Sequence, residues 1–538
     1  MAAARACNVL LVYPRFQANT FWNFSEACKL LGARYPTAPL GLITVAAMLP
    51  AHWNFRLVNR NTEDVTREDF AWADMVMTGG MINQQLDALR VIGLAHKHGK
   101  PVVLGGPDAT SSPRIYREAD FLVLGEVEDI LPQFVAAWDA GERSGSFLAE
   151  KFTIDVTKTP APRFDLLKTD HYMYVGVQYS RGCPFTCEFC DIIELYGRVP
   201  RTKTPPQMLA EMQALYDLGY RGHVDFVDDN LIGNRKSLRI FLPELIAWQK
   251  AHDYPFEFST EASINLADDH DLLELMRKAN FFAVFVGIES PDSETLVHTK
   301  KKQNTRRNIA ESIHKLYAAG MFVTAGFIVG FDTEKASIAD AMADLIEEAA
   351  IPMAMVGLLY ALPNTQLTRR LEKEGRLHAN HDRMAEETGD QCTLGLNYDS
   401  VRPERDILLD YRRILDRIYD PTAYAGRLER LAAMFDCSGR PKELPPGDRR
   451  REYVSLEFVH GILGRVPEAR EVFWNVFRTC RNSNPGALRH IMALMTLYTH
   501  LGPFSRFVMG EIDRRVAALD CAAPPTAAKA GEISSVLA

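Results

Sequence analysis

Short apolar runs alternate with helical patterns over the first 150 residues of the chain. Apolar runs bounded by Gly, Pro or Asn are typical of buried strands, and the stretch 83–99 between two of them has helical spacing. Strand and helix in alternation predict a doubly wound, Rossmann-like parallel sheet over residues 1–150. The predicted strands are NVLLVYP (8–14), FRLVNRN (55–61), ADMVMTGG (73–80), PVVLGGPDAT (101–110) and ADFLVLGE (119–126).

A second alternating series follows a polar, proline-bearing stretch at 151–170, which we interpret as a linker. It has six strand-like runs within residues 171–390, too few for a complete eight-stranded barrel. The pattern therefore predicts a partial (β/α)6 TIM barrel as the second domain of an α/β protein. The runs are YVGVQYSRG (174–182), HVDFVDDN (223–230), FEFSTEASI (256–264), FAVFVGIES (282–290), FVTAGFIVGF (322–331) and AMVGLLYALP (354–363).

The pattern changes after about residue 390. Apolar residues then recur at three- and four-residue spacing, which predicts an α-helical C-terminal domain over residues 391–520. The tail 521–538 is rich in Ala, Pro and Ser, and we predict that it is disordered.

Glycines concentrate where the strands of the first domain end. Ligands of doubly wound sheets bind at the carboxyl ends of strands, and glycine there lets the backbone approach a ligand closely. The alternative is that these glycines only form turns. No GxGxxG pattern occurs, so a nicotinamide dinucleotide is not indicated. The glycines are Gly79, Gly80, Gly105, Gly106 and Gly125.

The charge balance gives no general attraction for nucleic acid, because the 538 residues carry a net charge of −8. We interpret the basic stretch 298–307 as a solvated helix entry. No export signal and no apolar stretch of about 18 residues is visible. We therefore expect a cytoplasmic protein without a transmembrane segment, and peripheral contact with a membrane stays open.

Three of the nine cysteines, Cys183, Cys187 and Cys190, lie within eight positions directly after a predicted strand. The cysteines are odd in number and mostly scattered along the chain, which argues against a disulfide framework and for a reducing compartment. Three thiolates could hold zinc, but a structural zinc normally has four ligands. Iron–sulfur clusters also favour thiolates, usually four for a [4Fe-4S] cluster. With three, one iron stays open to an exchangeable ligand, which favours a catalytic cluster.

The spacing C-x3-C-x2-C, the preceding strand and the aromatic Phe189 before the last cysteine resemble the radical S-adenosylmethionine (radical SAM) family. The resemblance implies that S-adenosylmethionine chelates the open iron. Reductive cleavage would then give methionine and a 5′-deoxyadenosyl radical, which abstracts hydrogen from an unactivated carbon. The resemblance also implies an electron donor of the flavodoxin or ferredoxin type.

The same resemblance implies roles for residues near the ends of the barrel strands. Phe189 would lie beside adenine, and the motif GFIVGF (326–331) would lie there as well. Glu261 and Glu289 could bind ribose hydroxyls or the methionine moiety, or they could be ion pairs on the barrel rim. The further candidates are Asp228, Asp229 and Asn230 for the cofactor's amino group, and Gly326 and Ile328 of the GFIVGF motif.

The order of the two domains resembles that of the cobalamin-dependent radical SAM enzymes. The resemblance extends to four segments of the first domain: 9–15, 39–50, 73–113 and 120–129. In that family a corrinoid lies between the two domains and relays a methyl group. Asn83 and Glu126 join the five strand-end glycines as implied cobalamin contacts. Many cobalamin methyltransferases ligate cobalt with the histidine of Asp-x-His-x-x-Gly. The corresponding loop here, 15–36, contains no histidine, and His96 and His98 are expected at the surface.

The barrel and the helical extension resemble hopanoid C-2 methylase-like proteins. In the barrel, the segments that carry this resemblance are 187–212, 226–236, 287–292 and 358–377. The implied activity is methylation of an unactivated carbon, with a hopanoid, another lipid or a small molecule as substrate. One alternative is an oxidative cyclase of the magnesium-porphyrin ester type. Another is a corrinoid-binding redox sensor, although a sensor needs no open iron. RNA modification is disfavoured by the acidic balance.

Overall fold

The computed structural model describes residues 6–384, 389–438 and 456–522. The strands form two parallel sheets and one small antiparallel pair. Their bounds are β1 Asn8–Tyr13, β2 Tyr35–Thr37, β3 Asn54–Asn59, β4 Met75–Gly79, β5 Val102–Gly105, β6 Phe121–Leu124, β7 Gly145–Leu148, β8 Tyr172–Val177, β9 Ser180–Arg181, β10 Arg201–Thr202, β11 Gly222–Phe226, β12 Phe256–Glu261, β13 Phe281–Glu289, β14 Phe322–Val329 and β15 Met353–Leu358.

The helices cover both faces of the first sheet, surround the second and form the C-terminal region. Their bounds are α1 Ser25–Leu30, α2 Leu40–Met48, α3 Arg67–Trp72, α4 Gln85–Lys97, α5 Pro107–Ser111, α6 Leu131–Asp139, α7 Ile192–Leu195, α8 Pro205–Asp217, α9 Arg235–Ala251, α10 His270–Ala279, α11 Ser293–His298, α12 Ile309–Ala318, α13 Ile338–Glu348, α14 Gln366–Lys373, α15 Gln391–Leu394, α16 Glu404–Ile418, α17 Pro421–Met434, α18 Leu456–Arg465, α19 Arg470–Ser483 and α20 Leu488–Ala522.

The first sheet has the strand order β3-β1-β4-β5-β6-β7, with every pair parallel. Its central strands are buried on both faces, as the near-continuous apolar runs predict. The five predicted strands are confirmed. The sixth, β7, was not predicted, because its residues alternate between partly buried and exposed at the edge of the sheet.

The second sheet has the order β15-β14-β13-β12-β11-β8-β2 and is also parallel throughout. All six predicted barrel strands are confirmed. The seventh is β2, which pairs with β8 although it lies in the segment assigned to the first domain. The boundary predicted at residue 150 therefore does not hold for β2, because chain segment 35–37 leaves the first sheet and extends the barrel.

The stretch 151–170 is more ordered than a linker. It forms three short 3₁₀ turns and buries Ile154, Val156 and Phe164. The backbone N–H of Arg163 also donates to Ile43 O at 3.0 Å. This segment therefore packs between the two domains instead of only connecting them.

The helical C-terminal domain is confirmed, and it covers two sides of the barrel. Helix α16 packs on α13 and β15, while α20 packs on α16 and α1. At the start of α20, Arg489 pairs with Glu257 at the amino end of β12, which closes that end of the barrel. The predicted disordered tail lies outside the described residues, except for Cys521 and Ala522 at the end of α20.

The carboxyl edges of the two sheets face each other. Arg181, beyond β8, pairs with Glu126, beyond β6, at 3.1 Å. On another side, Asn364 Nδ2, beyond β15, donates to Ser111 O, beyond β5, at 2.8 Å. Ligands of parallel sheets bind at this edge, so the fold provides one site bounded by both domains.

We expect Arg427→Met to lower the free energy of unfolding by about 3 kcal/mol. Arg427 is 0% exposed, donates to Ile351 O at 2.8 Å and to Ile418 O, and pairs with Glu347. Its loss would leave buried carbonyls without donors. Urea denaturation followed by circular dichroism measures the change.

Arg430→Met is the matched control, because exposed Arg430 pairs with the same Glu347 at 2.7 Å. We expect this change to stay within about 0.5 kcal/mol. Equal effects of the two substitutions would contradict the role assigned to the buried contacts.

Candidate active site

The three clustered cysteines lie in the loop between β9 and α7. Burial raises the pKa of the Cys183, Cys187 and Cys190 thiols. The charge of Asp191 raises the pKa of Cys190 further. Such thiols stay protonated in the free protein, and a bound metal would replace their protons.

Two adjacent carboxylates hold the backbone that leads into this loop. Asp228 accepts hydrogen bonds from Tyr179 N at 2.9 Å and from Ser180 N and Oγ, both at 2.5 Å. Asp229 accepts one from Gly182 N at 2.8 Å. Burial raises the pKa of Asp228 to about 7 and that of Asp229 to about 6. These side chains, which sequence analysis assigned to the cofactor's amino group, are engaged by the cysteine loop.

Amide side chains reach two of the three sulfurs. Asn230 Nδ2 donates to Cys183 Sγ at 3.9 Å and to Ser263 Oγ at 3.1 Å. Gln303 Nε2 donates to Cys187 Sγ at 3.8 Å. Hydrogen bonds to ligand sulfurs tune metal clusters. Gln303 was missed, because its spacing from the cysteines carries no signal.

Glu289 forms a buried ion pair instead of facing an open site. Its Oε1 accepts from Lys301 Nζ at 2.7 Å, and its φ is +68°. The Lys301 ammonium also lies 6.0 Å from the centroid of the Phe189 ring. The basic stretch 298–307 was predicted to be solvated. That prediction is wrong for Lys301, which is 9% exposed because Glu289 compensates its charge.

Glu261 is the strand-end carboxylate that has no polar partner in the described part of the chain. Its side chain projects into the interior of the barrel, where it is accessible yet surrounded by protein. Burial, followed by the charges of Asp225, Asp229 and Asp228, raises its pKa to about 8. At neutral pH this group is therefore mostly a protonated acid that can donate a hydrogen bond.

An apolar wall lies beside Glu261. Phe285 pairs with Glu261 in the register of β12 and β13, and a Cβ on Gly326 would lie 3.0 Å from Phe285 Cζ. Trp22, from the histidine-free loop, lies 5.7 Å from Phe285 between ring centroids. Ile328 follows Gly326 by two residues, so both point to the same face of β14.

The glycines of the first sheet fit against protein backbone. A Cβ on Gly79 would lie 2.6 Å from Gly105 O, and one on Gly105 would lie 2.6 Å from Val123 O. Gly106 and Gly125 have φ of +93° and +89°, which favour glycine. Gly80 is likewise tight against Gln84. Close packing and positive φ therefore give each of these glycines a structural reason, and their predicted contact with a cofactor stays a prediction.

Glu126 is buried and paired with two arginines of the barrel. Arg181 Nη1 lies 3.1 Å from its Oε1, and Arg201 Nη1 lies 2.9 Å from its Oε2. Arg181 also pairs with Glu128 at 2.8 Å. Glu126 therefore joins the first domain to the segment that carries the cysteines.

His96 and His98, which were predicted to lie at the surface, are found at the end of α4. His96 pairs with Asp120, and the ring of His98 stacks on that of Phe70.

Several buried polar atoms at the carboxyl edge of the first sheet fit a ligand with polar groups. Within the described residues, Gln17 Oε1, Thr78 Oγ1, Asn83 Oδ1 and Ser112 Oγ are buried without a hydrogen-bond partner. An unsatisfied buried polar atom is costly. Thr78 lies near the carboxyl end of β4, and the other three residues follow β1, β4 and β5, so a polar-edged cofactor there would satisfy these atoms.

The three thiols have the ligand chemistry of an iron–sulfur cluster, whose irons bind cysteine thiolates. In residues 6–384, 389–438 and 456–522, no group of three or more His, Cys, Asp or Glu is arranged to hold one metal ion. A cluster spaces its thiolates more widely, with one iron for each sulfur.

Among the described helices, none combines the length and the apolar character that crossing a membrane requires.

Sequence models of two families match the chain. The radical SAM superfamily matches residues 177–346, which contain the cysteine loop and most of the barrel. A domain of unknown function, DUF4070, matches residues 365–514, which contain the C-terminal helices.

Two curated relatives align with nearly the whole chain. An uncharacterized methyltransferase of Synechocystis is 43% identical over 94% of this chain and 94% of the relative. The hopanoid C-2 methylase of Rhodopseudomonas palustris is 34% identical over 93% of both chains. The solved structure of the radical SAM methyltransferase TsrM from Kitasatospora setae, with cobalamin and a [4Fe-4S] cluster bound, has the same fold. Its TM-score is 0.58 at 15% identity, over 89% of this chain and all of that one.

We expect Asp228→Asn to weaken the retention of iron by the cysteine loop about tenfold to a hundredfold. The amide NH2 would face the donors at Tyr179 N, Ser180 N and Ser180 Oγ. Iron per chain and visible absorbance, measured after anaerobic reconstitution and a chelator wash, test this.

Asp268→Asn is the control, since exposed Asp268 pairs with Arg307 outside the site. Equal iron retention in the two variants would show that the Asp228 contacts are dispensable. Asp229→Asn, which alters one hydrogen bond, should have an intermediate effect.

We expect Glu261→Gln to raise stability more at alkaline than at acid pH. The folded pKa of about 8 exceeds the ordinary value of 4.5, so the folded state binds more protons between these values. Stability therefore falls as pH rises through this window, and the amide removes that loss. Thermal unfolding of the cofactor-free protein at about pH 5 and about pH 9 measures it.

The exposed Glu471 on α19 supplies the matched substitution, Glu471→Gln, which should leave the pH profile unchanged. A Glu261→Gln profile parallel to that of the unsubstituted protein would contradict the prediction.

Proposed function

The chain belongs to the radical SAM methyltransferase family that includes hopanoid C-2 methylase, and we propose that it methylates an unactivated carbon of a small molecule with cobalamin as methyl carrier. The observation that carries the proposal is the clustering of three cysteines in one loop at the carboxyl edge of the barrel, the edge that faces the first sheet and its unsatisfied polar atoms. A radical cofactor and a methyl carrier could then meet one substrate between the sheets.

Cys183, Cys187 and Cys190 would hold a [4Fe-4S] cluster, which with S-adenosylmethionine supplies hydrogen-atom abstraction, while cobalamin supplies a transferable methyl group. Asp228 and Asp229 position the loop by accepting its N–H groups. Asn230 and Gln303 donate hydrogen bonds to cysteine sulfurs and would so stabilise the negative charge of the thiolate ligands.

Glu261 is the proposed hydrogen-bonding group for S-adenosylmethionine, because its carboxyl is accessible from the barrel interior and has no protein partner among the described residues. As a protonated acid it would donate to a hydroxyl or carboxylate oxygen. Glu289 and Lys301 compensate each other. Lys301, whose charge acts on Cys187 and Cys190, would favour the thiolate state of both sulfurs.

Cobalamin would lie at the carboxyl edge of the first sheet, against Thr78, Asn83 and Ser112. No histidine of the loop 15–36 is available for cobalt. In its place the loop extends Trp22 to Phe285 in the barrel, and it is fixed by His500 Nε2 at 3.0 Å from Thr20 O.

The proposed substrate is a lipid of the hopanoid type or another small apolar molecule. Support comes from the wall formed by Trp22, Phe285 and Ile328 beside Glu261, and from the hopanoid methylase relative. Apolar walls exclude water from a site of radical chemistry. The proposed reductant is a flavodoxin or ferredoxin.

Anaerobic reconstitution with iron, sulfide and hydroxocobalamin tests the function. With a chemical reductant and excess S-adenosylmethionine, we expect both 5′-deoxyadenosine and S-adenosylhomocysteine, with corrinoid retained on the protein. The first product reports radical formation and the second reports methyl transfer. Mass spectrometry quantifies both.

Cys187→Ala should abolish 5′-deoxyadenosine, and a variant that kept biological function would favour a redox sensor. Formation of 5′-deoxyadenosine alone, without bound corrinoid, would overturn methyl transfer and favour an oxidative cyclase. Squalene-derived lipids are the first substrates to add, and a methylated product would identify the substrate class.

A further inference from the structure

Four exposed basic residues surround the outer surface of the cysteine loop. They are Lys151, Arg198, Lys300 and Arg369, which we call the basic belt. They come from four separate parts of the chain: the segment after β7, the segment after α7, the segment after α11, and helix α14. The mechanism above uses none of them.

Three members of the belt, Lys151, Lys300 and Arg369, are joined through contacts of α14 and α7. Lys300 Nζ donates to Gln366 Oε1 at 2.5 Å, at the start of α14. One turn later, Arg369 Nη2 donates to Glu194 Oε1 at 2.7 Å. Lys151 Nζ donates to Glu194 O at 3.1 Å. Glu194 thus links two members of the belt, Arg369 through its carboxylate and Lys151 through its backbone carbonyl.

The belt segments are hydrogen-bonded directly to the loop that carries the cysteines. Cys183 N donates to Gly197 O at 3.2 Å, next to Arg198. Glu188 N donates to Thr299 O at 3.0 Å, next to Lys300. Leu367 N, in the same helix as Arg369, donates to Glu188 O at 2.9 Å. A protein bound at the belt would therefore lie one backbone layer from the cluster ligands.

Two apolar side chains are exposed within the belt. Val199 is 75% exposed and follows Arg198, and Phe152 is 44% exposed and follows Lys151. The Phe152 ring packs against Gly197, where a Cβ would lie 2.9 Å from the ring. Exposed apolar residues with a charged rim are typical of protein interaction sites.

The sign of the charge identifies the kind of partner. The chain as a whole carries −8, yet the belt is basic, and Glu194 is already paired with Arg369. Arg198 makes no ion pair with any described residue. A positive patch on an acidic protein would attract an acidic partner and repel further copies of the chain.

We propose that the basic belt, with Val199 and Phe152, docks a small acidic flavoprotein of the flavodoxin type that reduces the cluster. The inference rests on the proposed function, since that function needs a one-electron donor. A flavin with an exposed apolar edge ringed by carboxylates complements both features of the surface. Electron-transfer complexes are small and transient, which suits a patch of this size.

Stopped-flow reduction of the reconstituted enzyme by a photoreduced acidic flavodoxin tests the docking site. The double variant Lys151→Glu/Arg198→Glu should be reduced about tenfold more slowly at low salt, where electrostatic steering is strongest. The difference should shrink at high salt. Bleaching of the cluster absorbance is the readout, so neither substrate nor methyl transfer is required.

Arg478→Glu/Arg481→Glu on α19 is the matched control, because both arginines are exposed and lie outside the belt. Photoreduced 5-deazariboflavin, a small neutral reductant, should reduce all three proteins at equal rates. Equal rates of reduction by flavodoxin in both double variants would overturn the proposed docking site. So would a Lys151→Glu/Arg198→Glu variant that is reduced more slowly by an acidic ferredoxin but at the unchanged rate by flavodoxin. Failure of the neutral reductant to drive cleavage of S-adenosylmethionine in the unsubstituted enzyme would instead overturn the proposed function.

Discussion

The buried carboxylate of Asp228 fixes the start of the cysteine loop, and the geometry of the site depends on that contact. It accepts two backbone N–H groups and one hydroxyl, while Asp229 accepts the next available N–H, from Gly182. Burial raises the pKa of Asp228, and these hydrogen bonds oppose the rise. Because Cys183 follows Gly182 directly, the two carboxylates set where the first thiol lies.

The same short segment also joins the two domains. Arg181 lies between the residues held by Asp228 and Asp229, and its guanidinium pairs with Glu126 and Glu128 of the first domain. Movement of the first domain would therefore disturb the loop that carries the cysteines. Rigid docking of this kind suits a reaction in which two bound cofactors must meet one substrate while water is excluded.

The fold could be predicted largely from the sequence, because strands buried in parallel sheets are nearly continuous apolar runs. The strands of the two parallel sheets that were missed, β2 and β7, lack this signal. β2 has three residues, Tyr35–Thr37, and β7 has an alternating pattern at the sheet edge. The cysteine cluster was also predictable, because its three members lie in one loop and their spacing survives in the linear chain.

The sequence by itself determined the residues whose partners are close along the chain: the cysteine motif, the strand ends and the glycines that tight turns require. Only the tertiary structure decided which acids are engaged and which one is available. Glu126 meets Arg181 across 55 positions, and Glu289 meets Lys301 across 12, whereas Glu261 is left without a polar partner among the described residues. The physical reason is that burial and charge pairing depend on which strands become neighbours. Gln303, Lys301 and the histidine-free loop with Trp22 reach the site through such packing, which no local pattern encodes.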